Sequence, residues 1–147
     1  MALILAEYMN PAIFAILLGF VFLTRGRVRD RFAFAAVSVL SIAAACFLAE
    51  QGKAAHMFQN SGSFPSGHET FGLTCGFFVV VWARWTFSVV TVWCIILGWA
   101  LVAAHFHHTV DVFGSIIPSG IVCAIAWLSI RTNLLPPGSL DVRRAIA

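Results

Sequence analysis

The run TFSVVTVWCIILGWALVAA, residues 86–104, carries no charged side chain and is as long as a membrane-spanning helix. A helix needs roughly 20 apolar residues to cross the hydrocarbon core of a bilayer, so this run alone indicates a transmembrane segment. The rest of the chain has the same character, because 61% of its 147 residues are hydrophobic, 10% are charged, and the mean hydropathy is +0.93. This composition excludes a water-soluble globule and a disordered chain.

Further apolar runs on both sides predict an all-α integral membrane bundle of about five transmembrane helices, in one domain covering residues 1–147. The predicted spans are 3–23, 32–49, 66–83, 86–104 and 110–130. A tight turn is expected at Arg84 and Trp85. No cleaved signal peptide is expected, because the charged cluster follows the first apolar run and does not precede it.

Basic residues gather on one side of the predicted bundle. With five spans, every arginine falls on that side and Lys53 falls on the other. By the positive-inside rule the arginine side is cytoplasmic, so we expect a multi-pass protein of the cell membrane with the segments 50–64 and 104–111 on the extracytoplasmic face. The net charge of +3 reflects the basic residues that determine this topology, so no nucleic-acid partner is predicted from the charge.

The first polar motif is Pro65-Ser66-Gly67-His68-Glu69, at the predicted start of the third span. A helix that begins here points unpaired N–H groups and the positive end of its dipole outward, which favours phosphate binding. Gly67 would let the backbone approach a phosphate oxygen, and His68 could donate a proton to a departing oxygen. Ser66-x-x-Glu69 is also a capping box, which needs no ligand to explain it.

The second polar motif contains His107 and Asp111, four residues apart. On a helix they would share a face, so the carboxylate could accept a hydrogen bond from one ring nitrogen while the other nitrogen points away. An aspartate placed in this way fixes the tautomer and makes the histidine a nucleophile. The structural alternative is a cluster of polar residues at a helix end that reaches toward water.

The same face of the bundle allows a different class of function, because imidazoles and carboxylates are good ligands for transition metals. The residues concerned are His56, His68, His105, His107, His108, Glu50, Glu69 and Asp111. A metal would not explain the Pro-Ser-Gly that precedes the first histidine motif, so no metal site and no cofactor are predicted. A metal- or haem-binding subunit and a catalytically silent membrane subunit stay open as alternatives. The four cysteines lack a metal or redox spacing and are interpreted as packing residues.

With these motifs the chain resembles the type 2 phosphatidic acid phosphatase superfamily, from Lys53 to about Gly114. The family's central motif, Pro-Ser-Gly-His, is matched by residues 65–68 without a gap. The family's last motif ends in a histidine, three residues and an aspartate, as do His107 and Asp111.

The resemblance implies a membrane-embedded lipid phosphate phosphatase that acts on a lipid phosphate or pyrophosphate without a metal. His107 would form a phosphohistidine intermediate, His68 would protonate the leaving group, and Asp111 would orient the nucleophile. Substrate phosphate would be bound by Lys53, Ser66 and Gly67. The expected partners are the lipid phosphate substrate and membrane lipids, and the sequence leaves open whether the protein forms a homo-oligomer.

Two departures from the family pattern favour an alternative reaction. The Ser-Arg pair of the last motif would fall on Ala100 and Leu101, and the Arg-Pro of the first motif on Asn60 and Ser61, which leaves Lys53 as the expected cation of the site. Lysine lacks the bidentate fork with which arginine holds phosphate. Lipid head-group phosphotransferases of the sphingomyelin synthase type are similar in lacking these arginines, so transfer to a lipid hydroxyl is the alternative to hydrolysis.

Overall fold

The helices of this chain carry apolar side chains on nearly all of their faces, as the composition predicts for a bundle in lipid. The structure is a computed structural model that describes residues 1–23, 28–55 and 64–131. The helices in those ranges are α1 (Ala2–Leu23), α2 (Val28–Ala54), α3 (Gly67–Trp82), α4 (Phe87–Ala103), α5 (Thr109–Gly114) and α6 (Ile116–Arg131). A 3₁₀ turn, Arg84–Thr86, joins α3 to α4 at the predicted turn.

The predicted all-α membrane bundle is confirmed. Within the described ranges, four helical stretches are long and apolar enough to cross a membrane, namely Ala2–Leu23, Arg31–Ala54, Arg84–Ala103 and Thr109–Ile130. The remaining long helix, α3, has 16 residues and is therefore about 24 Å long, shorter than the hydrocarbon core of about 30 Å. Because α1, α2, α4 and α6 all pack against α3, protein and not lipid surrounds its backbone.

Two helix boundaries differ from the predicted spans. The second helix extends over Val28–Ala54 instead of 32–49, because charged and polar residues with good helix propensity continue it at both ends. The fifth predicted span begins at Thr109 and is interrupted at Ser115, which separates α5 from α6. The longer α2 brings Lys53 into a final helical turn.

Two glycines of α3 allow close contact with α4. A Cβ atom on Gly72 would lie 2.5 Å from Leu97 Cδ2, and one on Gly76 would lie 2.6 Å from Val90 Cγ1. The pair forms a Gly-x-x-x-Gly motif, which in membranes permits such backbone approach. A larger residue at either position would clash with these side chains, which would have to move.

The apolar side chains form two buried clusters. The larger cluster lies among α1, α2, α3 and α6 and contains Ile13, Leu17, Val21, Phe34, Phe78 and Ile130. The smaller cluster joins α1 to α4 and contains Ala6, Met9, Leu97, Ala100 and Leu101. Large apolar side chains such as Ile4, Leu40, Phe47, Ile95 and Ile125 are exposed, as lipid-facing residues are. All four cysteines are free thiols.

Charge separates toward the two ends of the bundle as far as the described side chains show. Lys53 lies at the end where α2 finishes, whereas Arg31 and Arg84 lie near the start of α2 and the α3–α4 turn. Of the other basic positions of the topological prediction, Arg29 and Arg131 have side chains that are not described, and Arg25, Arg27, Arg143 and Arg144 lie outside the described residues. So do Asn60 and Ser61.

Candidate functional site

The N-terminus of α3 is built around Ser66. The Ser66 side chain is fully buried and its Oγ accepts a hydrogen bond from the Glu69 N–H at 3.3 Å, which caps the helix as predicted. The reciprocal half of the capping box is replaced, because the Ser66 N–H donates to the carbonyl oxygen of Asp111 at 2.9 Å. The two predicted motifs are thus joined by a backbone hydrogen bond.

Serines at the start of α6 extend this connection. Ser115 Oγ lies 2.9 Å from the carbonyl oxygen of Ser66 and 3.1 Å from that of Asp111. One turn further, Ser119 Oγ donates to the carbonyl oxygen of Thr70 at 3.2 Å. We call these five residues the polar seam. The seam was not predicted, although Ser66 and Thr70, like Ser115 and Ser119, follow the four-residue spacing of a helix face.

The end of α4 determines the position of His107. The N–H groups of Phe106 and His107 both reach the carbonyl oxygen of Leu101, at 3.0 and 3.3 Å, and the His105 N–H donates to Val102 O at 3.0 Å. This pattern is a Schellman motif, in which the residue after the cap adopts a left-handed conformation. His105 occupies that position with φ of 60°, where glycine is the usual residue.

His107 and Asp111 come together, but not on a helix face as expected. The helix α5 begins at Thr109, after His107, and Asp111 lies in its first turn. The fully buried Asp111 carboxylate accepts a hydrogen bond from the His108 N–H at 2.9 Å, and His107 Nδ1 lies 3.7 Å from Asp111 Oδ2. The capping turn of α5, rather than helical spacing, therefore creates the contact.

The distance of 3.7 Å is longer than a hydrogen bond, and His107 Nδ1 has no hydrogen-bond partner among the described residues. The His107 side chain is only 8% exposed. Burial lowers the pKa of His107 below its ordinary value, against a smaller opposing effect of the Asp111 charge. The neutral, nucleophilic imidazole is thus the favoured form at neutral pH.

His68 is exposed at the first turn of α3 and faces His107, with the two ring centroids 6.1 Å apart. Its carbonyl oxygen accepts a hydrogen bond from Asn10 Nδ2 at 2.9 Å, which ties α1 to the start of α3. Asn10 is buried, and sequence reasoning gave it no role. The signal available was an uncharged polar residue inside the apolar run of the first span.

Lys53 lies beside Gly67, as the phosphate-binding prediction requires. A Cβ atom on Gly67 would be 3.5 Å from Lys53 Nζ and 3.3 Å from Glu50 Oε1. Lys53 Nζ also forms an ion pair with Glu50 Oε1 at 2.6 Å. The cation therefore reaches the N-terminus of α3 together with a carboxylate that offsets part of its charge, a partner that the sequence interpretation did not assign to it.

The positions that would carry the missing Ser-Arg pair are part of the protein core. The side chains of Ala100 and Leu101 are fully buried in the cluster with Ala6 and Met9 of α1. An arginine at residue 101 would have to displace this apolar packing before it could reach a phosphate.

The residues considered for metal binding do not converge where they are described. Within the ranges that the structure covers, no group of three or more His, Cys, Asp or Glu side chains is arranged to hold a metal ion. His56 lies outside the described residues.

The described geometry thus joins two histidines, an aspartate, a lysine and a capped helix N-terminus. A family model described as the PAP2 superfamily matches residues 45–135, more than half of the chain and a range that includes every predicted site residue. No match is found in the comparisons with curated proteins and with solved structures. The chain therefore belongs to the PAP2 superfamily, which implies phosphatase-type phosphoryl transfer on phosphate esters.

Proposed function

We propose that the protein is an integral membrane lipid phosphate phosphatase that acts through a phosphohistidine. The observation that carries this proposal is the facing pair of imidazoles, 6.1 Å apart, with a buried carboxylate behind one of them. Membership of the family implies the reaction class, and these contacts support the individual roles of His68, His107 and Asp111.

The reaction proceeds in two steps. Because Asp111 faces His107 Nδ1, the proton belongs on Nδ1 and the lone pair of Nε2 attacks phosphorus. The bond between phosphorus and the lipid oxygen breaks, and His68 donates a proton to that oxygen. Water then attacks the phosphohistidine, His68 takes the proton of the water, and the P–N bond breaks to release phosphate.

Phosphate binding is assigned to the start of α3. The first N–H groups of a helix lack partners within the helix, and the positive dipole end favours an anion there. Lys53 adds a charge beside Gly67. Ser66 contributes by capping α3, and direct contact of its hydroxyl with phosphate stays a prediction, since that side chain is fully buried.

The substrate is proposed to be a lipid because the described chain is nearly all membrane helix, which leaves the bilayer as the route of access. Head-group transfer to a lipid hydroxyl is the second candidate, favoured by the apolar residues at positions 100 and 101 where a phosphate-binding arginine is expected. The two reactions differ only in whether water or a lipid hydroxyl accepts the phosphoryl group.

The first test is a screen of lipid phosphates in liposomes that measures free phosphate and new lipid species together. We expect phosphate release by the parent protein and none by His107→Ala. His105→Asn is the matched control, because asparagine tolerates the left-handed conformation at that position. New phospholipid without free phosphate would establish the transferase instead, and release by His107→Ala at the parental rate would reject the nucleophile.

The second test addresses the extracytoplasmic location. In a variant that lacks the four native cysteines, cysteine is introduced at Thr109 near the site or at Trp85 at the opposite end, both of which are exposed. An impermeant thiol reagent applied to intact cells should label residue 109 and leave residue 85 unlabelled. The reverse pattern would place the site in the cytoplasm.

A further inference from the structure

The carboxyl group of Glu69 is buried in an apolar environment and has an unused oxygen. The residue is 3% exposed, and Glu69 Oε2 has no hydrogen-bond partner among the described residues. A capping box would direct this carboxyl to the Ser66 N–H, but Asp111 O already accepts that hydrogen. An unpaired buried carboxyl oxygen costs free energy, so its presence needs an explanation beyond helix capping.

Glu69 lines a groove between α3, α4 and the α5–α6 segment, and its unused oxygen is buried at that lining. A Cβ atom on Gly98 would lie 3.4 Å from Glu69 Oε2 and 2.9 Å from Val112 Cγ1, so glycine at this position lets α4 pass close to the carboxyl group. The groove has a volume of about 640 Å³, within the range of roughly 300–1,000 Å³ that is usual for ligand sites. Glu69 and Thr109 line its end near the histidines, and apolar residues such as Val90 and Phe87 line its far end.

The length of the groove suits a hydrocarbon chain. From Gly98 to Phe87, α4 covers about 16 Å at 1.5 Å per residue, close to half of the roughly 30 Å hydrocarbon core of a bilayer. Nearly all of its surface is apolar, and no basic side chain lines it among the described residues. A lipid chain from one leaflet fits this length and chemistry, whereas a protein cation for Glu69 is missing from the lining.

We infer that Glu69 determines substrate specificity by accepting a hydrogen bond from a hydroxyl group close to the phosphate of the lipid, while a hydrocarbon chain of that lipid occupies the groove. The inference rests on the proposed phosphatase function. Because Glu69 directly follows His68 on α3, its carboxyl and the imidazole that protonates the leaving oxygen lie on one helical turn. The simplest hydroxyl of this kind is on the carbon next to the phosphate-bearing carbon.

The test compares two substrates that differ only in that hydroxyl, a monoalkyl phosphate and its 2-hydroxyalkyl counterpart of equal chain length. We expect the parent protein to favour the hydroxylated compound in kcat/KM by about 2- to 10-fold, as for one hydrogen bond between neutral groups. In Glu69→Leu the ratio should fall to about one, mainly through KM, whereas Glu69→Gln keeps an acceptor and should retain part of it. Glu7→Leu, which removes an exposed carboxyl on α1, is the matched control and should keep the parental ratio.

Stability measurements separate recognition from a structural role. A carboxyl that serves only the fold would lower the melting temperature when replaced, whereas one kept for substrate should leave it equal or higher in Glu69→Leu. The inference is rejected if the substrate ratio in Glu69→Leu is unchanged, or if the parent protein shows no preference. Hydrolysis of both compounds would still support the phosphatase in that case. If neither compound is hydrolysed, the proposed function fails for these lipids, and equilibrium binding of the same pair to parent and Glu69→Leu decides the inference by the same ratio.

Discussion

Different interactions hold the two sides of α3 against the neighbouring helices. On the side that faces α5 and α6, the polar seam holds α3 by hydrogen bonds from N–H and hydroxyl groups to carbonyl oxygens. Toward α4, α3 presents glycines against apolar side chains such as Leu97. Interhelical hydrogen bonds in membranes contribute only about 0.6 kcal/mol on average, so the seam adds little to stability. Hydrogen bonds have fixed partners, however, and the seam therefore sets the position of one histidine relative to the other.

The largest effect should come from removing the negative charge of Asp111, a residue of the polar seam. We expect Asp111→Asn to lower the rate by roughly 100- to 10,000-fold, the usual contribution of positioned acid–base groups. Asparagine keeps an acceptor for the His108 N–H, so the fold should persist. The measurement is phosphate release by purified protein, with the melting temperature as control, and a fully active Asp111→Asn protein would contradict the assigned role.

The same variant should change the pH dependence. Burial lowers the pKa of His107 and the Asp111 charge partly restores it. Protonation of His107 blocks its attack, so activity should fall on the acid side at a pH below the ordinary imidazole pKa of about 6.5. Removing the negative charge lowers this pKa further, and the acid limb of kcat/KM in Asp111→Asn should move to lower pH. A shift to higher pH would show that the titrating group is not His107.

On the side of α3 that faces α4, Leu97→Ala should lower the stability and leave the rate unchanged, which is the opposite of the effect expected for Asp111→Asn. The Leu97 side chain is fully buried against α1 and α3, and truncation of such a leucine costs about 2–5 kcal/mol of stability. Because the seam is untouched, the rate per folded molecule should stay near that of the parent. Thermal unfolding and activity corrected for the folded fraction provide the measurement, and a large loss of kcat would show that both sides of α3 position the histidines.

Substitution of two serines tests whether the effect of the polar seam on activity is confined to the part next to Ser66 and Asp111. Ser115→Ala removes the hydroxyl next to the Ser66 and Asp111 carbonyl oxygens, and Ser119→Ala removes the same group one turn away. Each should cost about 0.6 kcal/mol of stability and at most about 1.7. We expect Ser115→Ala alone to lower kcat, by several-fold, in steady-state assays. Equal losses of kcat in both variants would mean that the seam acts as one unit.

The smallest effect is expected at the phosphate-binding cation. Glu50→Gln removes the carboxylate that pairs with Lys53, so the lysine charge becomes more available to an anion. Exposed ion pairs are worth about 0–1 kcal/mol, which limits the gain in vanadate inhibition to about fivefold. Lys53→Ala should weaken inhibition, and Glu7→Gln serves as the control. Weaker vanadate inhibition in Glu50→Gln would show that Glu50 positions Lys53 instead of competing for it.

The sequence was sufficient to predict the bundle, because uninterrupted apolar length is a direct physical requirement for crossing a bilayer. It also predicted that His107 and Asp111 meet, but for the wrong reason, since spacing of four residues suggests a helix and the contact arises in a capping turn. The ion pair of Lys53 with Glu50 and the hydrogen bond from Asn10 depend on how helices are placed in space. Such tertiary contacts leave only weak traces in a single sequence.

The hydrogen bond between Asn10 and the carbonyl oxygen of His68 also fixes where the start of α3 lies along α1. The segment of α1 ahead of Asn10 adds about 12 Å of helix at 1.5 Å per residue, and it carries exposed apolar side chains at Leu3 and Ile4. A phosphate at α3 would thus lie below the tip of α1, so a lipid could reach it by diffusion within its leaflet. The enzyme should then obey surface dilution kinetics, in which the rate follows the mole fraction of substrate in the membrane and not its concentration in the bulk solution.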